Sequence, residues 1–203
     1  MDQFSVSLLG DFAVYHGDRH VTLPPASQRL VALVAMKRKP VHRLWVCAKL
    51  WPNVHIPKAV ASLRSALWRL RPVGAAPLLL VDPQYLQLSE DVYVDFHHSV
   101  DLTEQLLDGD ADAQLMADLL PLLRAGDLLD RWFEQWVISD RDHYHLKRKT
   151  ALQLIADRCA AEPDIMNAFW VVGISVCIPL AAVGLYSLQA RLERWDHDRH
   201  AED

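Results

Sequence analysis

The sequence predicts an α+β protein, with short antiparallel strands and three helices in its first half and only helices in its second half. Near the N-terminus, apolar and polar residues alternate, which is the period of half-buried strands. Beyond residue 100 the apolar positions follow the helical period instead. The change of period near the middle of the chain predicts two parts of different architecture.

The first elements are predicted to be three short strands. Residues 4–8 alternate between apolar and polar up to Gly10-Asp11, and residues 12–16 resume the pattern up to the turn at Gly17-Asp18. Residues 21–23 form the third strand before two prolines. These strands are predicted to pair as a small antiparallel sheet.

Three helices and a second hairpin follow the sheet. The predicted helices cover 27–39, 43–51 and 57–71, and a proline follows each of them. The predicted hairpin joins 78–81 to 85–88. The order of sheet, three helices and hairpin is that of a winged helix-turn-helix with an additional N-terminal sheet.

The charges are sorted along the chain. Between Arg19 and Val81 there are eleven Lys and Arg residues and no Asp or Glu, whereas residues 101–164 hold 7 basic and 14 acidic side chains. A one-sign stretch of this length predicts a polyanionic partner, usually a nucleic acid. The alternative is a basic surface without a specific partner. The shift of charge predicts a domain boundary near His98.

Four polar residues of the third predicted helix share one narrow stripe when the helix is drawn at about 100° per residue. They are Lys58, Ser62, Ser65 and Arg69. The opposite face is apolar and consists of Val60, Leu63, Leu67 and Leu70. Long cations reach phosphates or guanine edges, and short hydroxyl side chains allow a close approach, so the stripe is predicted to face double-stranded DNA.

Two further arginines flank the predicted core face of this helix. Arg64 and Arg71 are expected to contact phosphates, and Trp68 is expected to pack against the hairpin. The alternative is an ordinary amphipathic surface helix. The absence of acidic residues, the preceding helix and turn, and the following hairpin favour DNA binding.

Two segments resemble the OmpR-type DNA-binding domain of the Streptomyces antibiotic regulatory protein family. They are RLWVCAKLWP at 43–52 and ASLRSALWRLR at 61–71, and Leu9-Gly10 and QRLVAL at 28–33 also fit. The resemblance implies a transcriptional activator that binds direct repeats near promoters. The Asp82-Pro83-Gln84 turn departs from the family, whose wing has glycines before its tyrosine.

The acidic part resembles the start of the family's bacterial transcriptional activation domain, which is built of tetratricopeptide-like helix pairs. The matching residues are AGDLL at 125–129, Trp132, Trp136-Val137 and Asp140-Arg141. The resemblance implies contact with RNA polymerase. Its helices are predicted at 101–108, 111–124, 128–138 and 139–160.

Residues 165–190 contain no charged side chain and are mostly apolar. A membrane-spanning helix needs about 20 such residues, so this segment is predicted to anchor a cytoplasmic DNA-binding domain to the cell membrane. The alternative is a buried helix pair with its turn at Pro179. Gly173, Cys177 and Ala181 recur every four residues, a spacing that favours helix pairing and a homodimer.

The predicted organisation has four parts. They are a winged-helix domain at 1–98, a truncated helical domain at 99–163, the hydrophobic helix at 165–190 and a polar tail at 191–203. A rival function is that of a helical adaptor whose basic domain docks an acidic protein. No motif predicts an enzyme, a cofactor or a metal site, and three distant cysteines predict a reducing compartment.

Overall fold

The computed structural model describes residues 3–109 and 112–161. These residues fall into two compact units, the first within 1–101 and 122–146 and the second within 102–121 and 147–161. The predicted boundary near residue 98 does not separate the units, because the chain leaves the first unit near residue 101 and returns to it at 122.

Seven short strands and six α-helices are described. The strands are β1 (Phe4–Ser7), β2 (Ala13–His16), β3 (Arg19–His20), β4 (Val41–His42), β5 (Leu79–Val81), β6 (Tyr85–Leu88) and β7 (Tyr93–Val94). The helices are α1 (Pro25–Ala35), α2 (Arg43–Leu50), α3 (Ile56–Trp68), α4 (Asp95–Asp108), α5 (Ala113–Ala125) and α6 (Gln135–Ala161).

The strands of the first unit form two small sheets. The N-terminal sheet has the order β3-β2-β1-β7, in which β1 pairs antiparallel with β2 and parallel with β7. The second sheet has the order β4-β6-β5 and is antiparallel. The strand predicted at residues 21–23 lies instead at Arg19–His20, and β4 and β7 have no counterpart among the predicted strands.

The carboxylate of Asp95 joins the N-terminal sheet to α4. It accepts hydrogen bonds from Ser7 Oγ at 2.6 Å, from Leu8 N at 2.7 Å and from Leu9 N at 3.2 Å. Burial raises the pKa of Asp95, while these hydrogen bonds and one from the Phe96 amide act in the opposite direction. The carboxylate thereby satisfies backbone amides where β1 ends.

Helices α1, α2 and α3 pack around one apolar core. Helix α1 supplies its centre, with residues 30–35 all buried. The buried hydroxyl of Ser27 donates a hydrogen bond to the carbonyl oxygen of Ala66 at 2.8 Å. This bond and the buried Leu63 fix α3 against α1.

Residues 122–146 complete the same core. Leu128, Leu129 and Val137 are fully buried in it. The backbone of the segment hydrogen-bonds to the chain after β1: Leu129 N lies 2.8 Å from Leu8 O, and Gly10 N lies 2.7 Å from Asp127 O. The LG and AGDLL motifs of the sequence are therefore in direct contact.

The second unit is helical throughout its described residues. Its apolar interior comes from the last turns of α4 and α6 and from the first part of α5, and includes Leu106, Met116, Leu119, Ala151 and Ile155. At its surface Lys147 Nζ lies 2.6 Å from Glu104 Oε1.

Two of the helices predicted for the C-terminal half, at 128–138 and at 165–190, are not among the described helices. The helix predicted at 128–138 is wrong up to residue 134, because Leu128 forms an isolated β-bridge with Leu9 and α6 begins only at Gln135. The predicted hydrophobic helix at 165–190 lies outside the described residues. None of the helices within 3–109 and 112–161 combines the length and apolar character that crossing a membrane requires.

Candidate nucleic-acid interface

Helices α2 and α3 form the helix-turn-helix. The side chain of His42 caps α2, since its Nδ1 accepts a hydrogen bond from Leu44 N at 3.2 Å. Helix α3 begins beside Pro57, whose fixed φ suits the first helical turn. Its buried residues are Ala59, Leu63 and Ala66, which leaves the opposite face of α3 open.

The four residues of the predicted base-facing stripe differ in their exposure. The side chains of Lys58 and Ser65 are exposed on α3. Ser62 is half-buried, and its hydroxyl donates to the carbonyl oxygen of Lys58 at 3.0 Å, so its hydrogen is engaged within the helix. Arg69 is exposed but follows the last helical residue as the C-cap.

The exposed face of α3 is centred away from the predicted stripe. Ala61, Arg64 and Trp68 are exposed, and the Trp68 residue keeps 64% of its surface accessible. The sequence predicted that Trp68 packs against the hairpin; it lines a groove beside β5 but remains mostly in solvent. A helical projection centred on the small residue Ala61 would have found this face, since the buried residues lie opposite it.

The basic residues fall into two groups. On the α1 side three of them form ion pairs with acidic residues of the same unit: Arg29 with Glu134 at 3.1 Å, Lys37 with Asp140 at 2.7 Å and Arg38 with Asp101 at 2.7 Å. The second group has no carboxylate partner among the described residues and includes Lys49, Lys58, Arg64, Arg69 and Arg71. Apart from Arg19 on β3 and Lys39 after α1, the cations of the basic stretch that have no carboxylate partner among the described residues thus lie on α2, on α3 and just after it.

The hairpin of β5 and β6 is braced against the start of α2. Asp82 Oδ1 accepts from Gln84 N at 2.9 Å, which closes the turn. Arg43 N donates to Gln84 O at 2.8 Å, and Arg43 Nη1 lies 3.3 Å from Asp82 O. This role of Arg43 is not predictable from the sequence, because its partners are backbone oxygens that no side-chain pattern reveals.

Two pairs of histidines lie close together in the sequence, His97-His98 on α4 and His143 with His145 on α6. His145 Nδ1 lies 2.8 Å from Asp127 Oδ2, which gives this histidine a carboxylate partner. Within the described part of the chain, no three His, Cys, Asp or Glu side chains gather closely enough to hold a metal ion.

The two sheets, the three-helix core and the braced hairpin place the first unit in the winged helix-turn-helix class. A solved structure of Mycobacterium tuberculosis EmbR in complex with a low-affinity phosphopeptide is similar, with a TM-score of 0.53 and 20% sequence identity over 97% of this chain and 52% of that chain. This chain therefore spans about half the length of that protein.

EmbR is a regulator of the Streptomyces antibiotic regulatory protein family, and the likeness supports the same kind of fold for this chain. At this identity the likeness concerns the fold alone. No family model matches the sequence, and no curated protein matches it.

Proposed function

We propose that this chain is a DNA-binding transcriptional regulator that places α3 in the major groove of double-stranded DNA. The observation that supports it most is the division of the basic residues. Three of the four cations on α1 and just after it are engaged by carboxylates, whereas those on α2, on α3 and after α3 have no carboxylate partner among the described residues. The free cations face outward where a winged helix meets its ligand.

The chemistry of this face fits a duplex. The major groove of B-DNA is about 12 Å wide and admits an α-helix of about 10–12 Å diameter. Lys58 and Arg69 reach base edges or phosphates, and the short Ser65 side chain allows close approach. Arg64 and Arg71 are proposed to neutralise phosphates, which fixes the helix in register without reading sequence.

Selection of bound sequences from random DNA by the full chain tests the proposal. A sequence-specific regulator enriches one family of related DNA sequences. The logarithm of its association constant then falls linearly with the logarithm of the salt concentration, with a slope of about −0.9 per phosphate contacted. Absence of enrichment at every salt concentration contradicts sequence-specific regulation.

The rival adaptor has one observation in its favour, since three cations of the basic stretch do bind carboxylates. These carboxylates belong to the chain itself, so the pairs serve its own fold. A competition assay tests whether the two ligands share a surface. If duplex DNA displaces a bound acidic protein, both use the face of α3; if it does not, the acidic protein binds elsewhere.

The finer parts of the proposal rest on sequence. Transcriptional activation through RNA polymerase is proposed for the acidic helical part, because an acidic surface repels DNA. Tethering by residues 165–190 is proposed from their uncharged composition. Retention of the full-length chain in alkali-washed membranes supports the tether, and monodisperse protein without detergent contradicts it.

A further inference from the structure

The exposed face of α3 contains an apolar strip that is distinct from the predicted base-facing residues. Pro57, Ala61 and Trp68 lie on the same side of the helix, at spacings of four and seven residues, and all three are exposed. The opposite side of α3 is already buried in the core through Leu63 and Ala66. The strip is therefore not needed for packing within the first unit.

Two cations share a groove with Trp68. Arg64 precedes it by one helical turn and Arg71 follows it by three residues, and both line the same groove of about 360 Å³ as Trp68. Leu79 and Val81 of β5 also line this groove. Neither arginine has a carboxylate partner in the described part of the chain.

An occupant that complements this face offers negative charge beside an apolar group. A duplex does so in its major groove, where the 5-methyl group of thymine is the apolar feature of the base edges and phosphates border the groove. An acidic protein surface also combines the two, but it would have to compete with DNA for α3. The same two arginines suit phosphates, so the charge favours DNA.

We infer that Trp68 is a specificity-determining residue that contacts a thymine 5-methyl group in the major groove. This inference rests on the proposed DNA-binding function and names a base that the bound sequence must contain. Ala61 extends the apolar contact along the helix, while Arg64 and Arg71 hold the adjoining phosphates. The bound sequence is thereby expected to hold thymine under the C-terminal half of α3.

The experiment removes the methyl group instead of the base. The sequence obtained by selection with the full chain is synthesised with deoxyuridine at each thymine in turn, which deletes the 5-methyl group and keeps every hydrogen-bonding edge. The full-length chain is expected to lose affinity about fourfold at one or two positions, the factor that corresponds to about 0.8 kcal/mol for one buried methyl-sized group.

Substitutions then assign the effect to a residue. Trp68→Ala is expected to bind thymine and deoxyuridine DNA equally at those positions, and Trp68→Phe is expected to retain part of the discrimination. Leu44→Ala serves as the control, since Leu44 is a 51% exposed apolar residue on α2. It is expected to keep the full response to methyl removal.

The outcomes separate this inference from the proposed function. Specific DNA binding that ignores deoxyuridine, or that responds to it equally with and without the indole, overturns the role of Trp68 and leaves the regulator intact. A Trp68→Ala variant that keeps its DNA affinity but loses transcriptional effect overturns it too, and marks the indole as a protein contact. Absence of any specific DNA binding overturns both.

Discussion

At the scale of single residues, two glycines with nearly the same φ differ in what surrounds them. Gly10 has φ +72° and a Cβ placed on it would lie 2.6 Å from Ala125 O, whereas Gly74 has φ +74° with no atom within 4 Å of such a Cβ. Gly10→Ala must therefore displace the segment that begins at Ala125, and Gly74→Ala meets only backbone strain.

We expect Gly74→Ala to lower the free energy of unfolding by about 1–2 kcal/mol. Gly10→Ala is expected to lower it by about 2–5 kcal/mol, because overpacking adds to the same strain. Denaturant unfolding of the two variants beside the parent chain measures the difference. Equal losses would mean that the 125–130 segment yields without cost.

Protonation of one histidine is expected to destabilise the first unit. Burial lowers the pKa of His97, the charge of Arg38 lowers it further, and nearby backbone carbonyls and Asp101 oppose the shift. Its Nε2 is buried without a hydrogen-bond partner among the described residues. The folded state therefore favours the neutral form of this ring.

A folded-state pKa below the unfolded value gives stability that is present at neutral pH and is lost as pH falls below about 6.5. We expect His97→Asn to show a smaller fall in the free energy of unfolding between pH 7 and pH 5 than the parent chain. His98→Asn is the control, because His98 is exposed on the same helix. A parent-like fall in the His97 variant would contradict the assignment.

At the scale of elements, α3 is expected to separate base contacts from phosphate contacts. Arg69 and Arg71 are both exposed and without carboxylate partners in the described residues. Arg69→Ala is expected to cost about 1–3 kcal/mol and to relax preference at one base pair if the guanidinium is bidentate to guanine. Binding assays over single-base variants of the selected sequence measure this.

Arg71→Ala is expected to weaken binding to all sequences alike and to reduce the salt slope by about one. Lys39→Ala is the control, since Lys39 is an exposed cation in the connection from α1 to β4. If the Lys39 and Arg71 variants lost affinity equally, the general charge of the unit, and not the residues at the end of α3, would explain the binding.

The elements that the sequence predicted well are those whose pattern is local. Helices α1, α2 and α3 were predicted because proline follows each one and apolar residues share one face. The strands β4 and β7 have two residues each, which is too short for an alternating pattern to register. Their pairing partners lie far away in the chain, at β6 and β1.

The 126–134 segment and the surface of α3 show why features that depend on distant contacts could not be predicted from the sequence. Leu128 and Leu129 continue the apolar pattern of a helix, yet they are not helical. Their backbone pairs instead with that of Leu8 and Leu9, a contact between residues about 120 positions apart in the chain. On α3 the centre of the exposed face lies away from the predicted stripe, because the buried alanines Ala59 and Ala66 carry little weight in an apolar pattern.

At the scale of the whole molecule, the first unit joins two stretches of chain that differ in charge. The predicted boundary at residue 98 implies that the winged helix folds without the acidic part. The structure instead buries Leu128, Trp136 and Tyr144 in the core that α1 and α3 share. The ion pairs of Arg29 and Lys37 with the acidic stretch are partly exposed, so the apolar contacts contribute most of the attachment.

Substitutions in the acidic stretch are therefore expected to act on the DNA-binding unit. Leu128→Ala removes a fully buried side chain and is expected to lower the free energy of unfolding by about 2–5 kcal/mol. Leu146→Ala is the control, because Leu146 is 65% exposed at the other end of the same stretch. Thermal unfolding and DNA affinity are measured on both full-length variants. If Leu128→Ala were as stable as the control, residues 122–146 would be a separate appendage. If Leu128→Ala unfolds at a lower temperature and loses DNA affinity at that same temperature, the acidic stretch is part of the structure that holds α3.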